Sequence, residues 1–183
     1  SGASGAAIAI LNADPAAFPA ASLVLRDCVV EGNTGGSAVL FATLGRLDLV
    51  RTTFAGNVTN PSGIGGAINI TAVHDPSASQ PITVRNCVFR DNRAAVAGAI
   101  NTRGLTVVED SLFESNTATG GISGSFVITG GSGAVRNYST PAGTRYERCT
   151  FRANRVQQSA GEGGGAVRCF RGAAEFIECL FEF

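Results

Sequence analysis

Apolar and polar positions along this chain follow a pattern that returns over and over. An alternating apolar stretch leads into a polar pair, then a small residue, then F-x-x-N. It reads Leu23-Val-Leu-Arg-Asp-Cys-Val-Val-Glu-Gly-Asn33 in its first copy and recurs over 47–57, 82–92, 106–116 and 144–154. The last residues, 174–183, run into a sixth copy. With 11 Phe in the chain and Asn at about 6% of positions, chance would place about 0.7 F-x-x-N matches, against those at Phe54, Phe89, Phe113 and Phe151. The period therefore governs the fold.

A second element lies between the copies, a small-residue step into a strand: Gly36-Ser-Ala-Val, Gly65-Gly-Ala-Ile, Gly98-Ala-Ile-Asn, Gly124-Ser-Phe-Val-Ile and Gly164-Gly-Ala-Val. Each repeat thus reads strand, turn, strand, turn, and nothing in it requires a helix. Alternation assigns two inward columns. One holds Leu25, Leu49, Val84, Val108, Tyr146 and Phe176; the other holds Val30, Phe54, Phe89, Phe113, Phe151 and Phe181. The alternation slips by one residue at polar positions such as Arg26-Asp27 and Asn86, so the chain must bend there. A strand that bends and returns after about 24 residues makes one coil of a parallel β-helix, giving an all-β solenoid of about six coils in a single domain over 1–183. Coils stacked about 4.8 Å apart set equivalent residues directly over one another. The Phe column then buries each ring against its neighbours. A turn column of Asn33, Asn57, Asn92, Asn116 and Asn154 suits Asn, whose amide donates and accepts along a stack and which tolerates a left-handed backbone.

The outward column Glu31, Ala55, Arg90, Glu114, Arg152, Glu182 alternates in sign over its last four members, as stacked ladder partners should. Formal net charge is zero, and the 14 basic residues are all arginine. A neutral chain without a basic stripe argues against nucleic acid as partner. No apolar run approaches the length of a membrane span. Absence of Lys, Met and Trp beside abundant Ala, Gly and Arg reads as codon bias and not as function. Cys28, Cys87, Cys149 and Cys179 share a column with Thr52 and Ser111, a slot for a small, weakly polar interior residue. A bridge between Cys149 and Cys179, or one involving Cys169, stays open. Apolar residues at both ends lead us to expect an internal piece of a longer protein, with other segments or subunits meeting its uncapped coil ends.

Long connections are expected on every second coil, over 12–22, 71–81 and 129–143, emerging along one edge where loops on a rigid scaffold could bind a partner. His74, Asp75, Asn137 and Tyr138 are the candidate contacts there. Of the three glycosylation sequons, at Asn57, Asn69 and Asn137, only Asn137 falls in an insertion and is the plausible acceptor.

The motifs G-G-A-I (Gly65–Ile68, with Ala97–Ile100 and Gly164–Val167 as near matches) and F-x-x-N resemble the paired motifs of chlamydial-type polymorphic outer-membrane proteins. The passenger regions of those proteins are right-handed parallel β-helices of the pectin-lyase-like superfamily. This resemblance implies a right-handed coil and a non-catalytic structural or adhesive scaffold, extracellular or at the cell surface, with no cofactor and with glycans or other protein segments as partners. Two alternatives stand beside it. One is a polysaccharide lyase or glycoside hydrolase of the same fold, for which the stacked acids Glu109 and Glu147, with Arg85 and Arg148 close by, are the candidate catalytic pair at about 5 Å. The other is a repeat unit of an extracellular filament or cell-wall layer.

Overall fold

The structure is a computed structural model that describes residues 6–11, 21–42, 45–61, 63–70, 82–102, 106–123, 126–128, 133–138, 144–157, 165–170 and 174–183. Each repeat makes one circuit of short strands, which in coil four are Ile100–Thr102, Thr106–Glu109, Leu112–Glu114 and Thr117–Ala118. Every such strand pairs in parallel with its equivalent in the neighbouring coils, giving three six-stranded sheets and one of five strands. Described residues contain no helix. All-parallel sheets visited in the same order on every circuit are consistent with a parallel β-helix.

Both inward columns stand in the register read from the alternation. Leu25, Leu49, Val84, Val108, Tyr146 and Phe176 face one another from coil to coil. So do Val30, Phe54, Phe89, Phe113, Phe151 and Phe181. The Phe rings lie parallel with centroids 5.0, 4.8, 4.9 and 5.0 Å apart, a spacing imposed by the strand separation. Phe54, Phe89, Phe113 and Phe151 are fully buried, each contributing about 1.5–3 kcal/mol of transfer free energy.

Two columns of left-handed residues turn the chain. Asp27, Arg51, Asn86, Asp110, Arg148 and Glu178, with φ between 46° and 55°, form the corner before the Phe strand. Gly32, Gly56, Asp91, Ser115 and Ala153, with φ between 50° and 63°, form the corner after it. The slip in alternation at Asp27 and Asn86 is therefore a real bend. The second corner corrects one expectation: the left-handed residue is the one before each ladder Asn, and none of the five Asn has positive φ.

A further correction concerns coil five. Gly124–Ile128 is not its leading strand. Phe126–Ile128 pairs antiparallel with Gly121–Ser123 in a separate two-stranded ribbon. The leading strand is Val135–Tyr138, whose Val135 stands opposite Ile100 on one side and Val167 on the other. Backbone packing explains the choice. A Cβ on Gly98 would lie 2.0 Å from the carbonyl oxygen of Gly133, and one on Gly133 would lie 1.9 Å from that of Gly165. Glycine is what fits this backbone-lined slot at Gly98 and at Gly133. The connection within coil five thus shortens to 139–143, and the insertion moves to the preceding corner, between Thr117–Ala118 and Val135–Tyr138. The long connection expected over 129–143 is therefore not found where it was placed, because Val135–Tyr138 is a strand. The connections 12–20 and 71–81, with His74 and Asp75, lie outside the described residues.

Candidate functional site

Glu109 and Glu147 stand directly opposite in adjacent coils, as their spacing led us to expect. Their side chains are 24% and 19% exposed. They do not stand alone. The Arg85 Nε donates to Glu109 Oε2 at 2.6 Å, the Arg145 guanidinium donates to Glu147 Oε2 at 2.6 Å, and Arg148 contacts Glu147 Oε1. Arg148 also holds Asp110 through a forked pair at 2.6 and 3.0 Å, which keeps the Asp110 carboxyl below its usual range. The cluster therefore sets three arginines against three acids. A retaining glycosidase pair needs one carboxyl to deliver a proton and the other to attack. Here both oxygens of Glu147 and one of Glu109 are already occupied by guanidinium groups. This arrangement can tie neighbouring coils together and offers little for glycosyl transfer.

The same logic extends along the outer faces. Arg51 forks onto Asp27 across two coils at 2.5 and 2.7 Å, and that hydrogen bond lowers the Asp27 pKa. Arg152 bonds Glu114 at 2.9 Å, confirming the sign alternation of that column. Asp48 is an ionic site missed by sequence reasoning. It is buried on an outer face, held by Arg46 and by the Thr83 hydroxyl one coil on. Burial opposes its ionisation, but those two hydrogen bonds outweigh it and hold its carboxyl low. Its only trace in the sequence is the Arg46-x-Asp48 spacing.

Each of the inner ladder residues Asn57, Asn92 and Asn116 is a four-way connector. Asn92 Nδ2 reaches Asn116 Oδ1 at 2.9 Å and Phe54 O at 3.0 Å, while its own Oδ1 accepts from the backbone N–H and the amide of Asn57 at 3.1 and 2.9 Å. From Asn33 to Asn154 the amide-to-amide bonds measure 2.8, 2.9, 2.9 and 3.0 Å. Asn57, Asn92 and Asn116 are fully buried, so the sequon at Asn57 has its amide engaged inside. At Asn69 the side-chain oxygen accepts from Asn101. Asn137 and Tyr138 fall in a strand and not on the insertion, with Asn137 opposite Thr102 and Cys169.

The cysteine column has a reason beyond size. Cys28, Thr52, Cys87, Ser111, Cys149 and Cys179 each donate to the carbonyl two residues back, at 2.7 to 3.4 Å, just where the backbone turns left-handed. All five cysteines, Cys169 included, are free thiols. Burial pushes the Cys149 thiol up to about 12. Tyr146 is fully buried with no hydrogen bond to its hydroxyl among the described residues, and burial raises its pKa well above the ordinary value. Among the described residues no group of three or more His, Cys, Asp or Glu is placed to hold a metal ion. Comparison of the chain with protein-family models, with curated proteins and with solved structures finds no match.

Proposed function

We propose that this chain is a right-handed parallel β-helix serving as a rigid, non-catalytic scaffold, structural or adhesive, in an extracellular or cell-surface protein. Right-handedness follows from the strong general preference of parallel crossovers and from the G-G-A-I and F-x-x-N resemblance. One observation carries the reading: the stacked acids Glu109 and Glu147 are engaged by Arg85, Arg145 and Arg148, and the Glu109–Arg85 pair crosses coils as Asp27–Arg51 and Glu114–Arg152 do. Arg85–Glu109 and Arg148–Asp110 join adjacent coils, while Arg145 and Arg148 hold Glu147 within its own coil, so acids that an enzyme would leave available are already paired. Such a body transmits load and presents surfaces without needing to move.

The test is depolymerisation of pectins, alginates and other acidic glycans, with and without calcium, by the folded chain and by its Glu109→Gln/Glu147→Gln variant. We expect no chain cleavage by either protein. Cleavage by the parent that disappears in the variant would make the protein a carbohydrate-active enzyme and overturn the proposal.

A further inference from the structure

Arg46, Arg51, Arg85, Arg145, Arg148 and Arg152 each hold an acid. Arg90, Arg93 and Arg155 hold none among the described residues, and they lie together around the corner that carries the Asn ladder. Arg93 and Arg155 belong to the five-stranded sheet, one on either side of Thr117. Strand alternation turns Ala94 and Ala118 into the core and leaves both arginines exposed. Arg90 stands just before the corner and opposite Glu114, but that carboxylate is taken by Arg152 from the other side.

Arg93 does not point straight out. Its guanidinium crosses the Thr117 strand and donates to Gln157 Oε1 at 3.3 Å, two coils on and two residues beyond Arg155. Two like charges are thereby drawn toward one strand end beside neutral side chains, an arrangement that an anion between them would relieve. Asp91, exposed at the corner between Arg90 and Arg93, bonds neither. The chemistry of the face narrows the anion. One exposed ion pair contributes little, so a free ion would not be retained on a flat sheet, whereas a polymer engages several guanidinium groups at once. The outward positions Thr34, Val58, Arg93, Thr117 and Arg155 offer no aromatic ring on which nucleic-acid bases could stack. A carboxylate presents two oxygens, which serve one guanidinium fork, and a phosphodiester likewise exposes two. A sulfate ester presents three, enough to meet both guanidinium groups and the Thr117 hydroxyl.

We propose that the outer face of the five-stranded sheet binds a sulfated polysaccharide, one sulfate ester seated between Arg93 and Arg155 and Arg90 adding a further contact around the corner. This deepens the scaffold reading, on which it rests, by giving the scaffold a partner chemistry and a place to hold it.

The probe is biotinylated dextran sulfate captured on a surface. Binding of the full chain is read by surface plasmon resonance, beside carboxymethyl dextran of matched charge density, single-stranded oligothymidylate and unmodified dextran. We expect saturable binding to dextran sulfate that weakens with salt, binding about tenfold or more weaker to carboxymethyl dextran and oligothymidylate, and none to dextran. Arg93→Gln/Arg155→Gln, checked for unchanged circular dichroism, should bind dextran sulfate about tenfold more weakly. Arg26→Gln/Arg51→Gln, which removes the same charge from the first two coils, should bind as the parent does. If the first double variant loses its fold, Arg155→Gln alone, whose side chain has no partner to lose among the described residues, carries the test with about a threefold loss. No saturable binding, binding to carboxymethyl dextran or oligothymidylate as tight as to dextran sulfate, or an equal loss in both double variants would each overturn the proposal. Binding is read without turnover, so its failure leaves the glycan-cleavage result standing and the two readings fail separately.

Discussion

Replacing Asn116 by alanine tests the ladder at its best-defined rung. Asn116 is fully buried. Its Oδ1 accepts from the Asn92 backbone N–H at 3.1 Å and from the Asn92 amide at 2.9 Å, and its Nδ2 donates to Phe89 O at 2.8 Å and to Asn154 Oδ1 at 3.0 Å. Truncation leaves both Asn92 donors without that acceptor in a space closed to solvent. At about 1–3 kcal/mol per buried group left unsatisfied, the loss should be about 3–5 kcal/mol. Equilibrium unfolding in guanidinium chloride, followed by far-ultraviolet circular dichroism, measures it. Asn116→Asp sharpens the test. It keeps one acceptor oxygen for Asn92 but points the other at two acceptors, Phe89 O and Asn154 Oδ1. Protonation relieves that clash, so the introduced carboxyl has a raised pKa in the folded state. A raised carboxyl pKa means the penalty is small below the unfolded value of about 3.9 and grows as pH rises through the folded value. A loss under about 1 kcal/mol for Asn116→Ala, or a pH-independent penalty for Asn116→Asp, would refute the reasoning.

Three shorter predictions probe other parts of the stack. Tyr146→Phe removes a buried hydroxyl that has no partner among the described residues while keeping the ring stacked on Phe176, so stability should hold or rise by about 1 kcal/mol in the same unfolding assay; a loss above that would reveal a bonded hydroxyl. Gly98→Ala places a Cβ 2.0 Å from Gly133 O and 2.6 Å from Thr117 N, and because backbone cannot swing aside it should cost at least about 3 kcal/mol, read as a shift in the denaturant midpoint. Acid should weaken the fold through Asp27, Asp48 and Asp110, whose carboxyls are all held low. Their contribution is present above the unfolded pKa of about 3.9 and is lost as pH falls through the lower folded values. Concentrated salt should remove the part from exposed Asp27 and Asp110 while leaving that from buried Asp48, which midpoints measured across this range in low and high salt would show.

Much of the architecture was legible because a stacked fold repeats its local rules. The Phe and Leu columns, the column of small, weakly polar residues at Cys87 and Ser111, and the sign alternation from Glu114 to Arg152 all emerged from spacing alone, since a two-residue period and a fixed turn leave each side chain one face to occupy. Asp48 escaped because burial on an outer face depends on what packs over it. The candidate pair Glu109 and Glu147 was placed correctly, but the three arginines that engage it come from the preceding coil, the same strand and the corner. Sequence could name Arg85 and Arg148 as neighbours without saying toward which acid each would turn.

What the sequence by itself determined was the period, the inward columns and the pairing of equivalent residues, because these rest on side-chain alternation and on local bends. What only the tertiary structure decided was which Gly-led segment joins the stack and which residue at each corner turns left-handed. Gly124–Ile128 and Ser132–Val135 both offer a small-residue step into an apolar strand. The choice between them lies in a backbone-to-backbone approach across coils, Gly98 against Gly133 and Gly133 against Gly165, whose closeness no single segment can express. The corner falls on Asp91, Ser115 and Ala153 because the Asn that follows must keep its amide aligned with the rungs on either side. That alignment exists only once the coils are stacked.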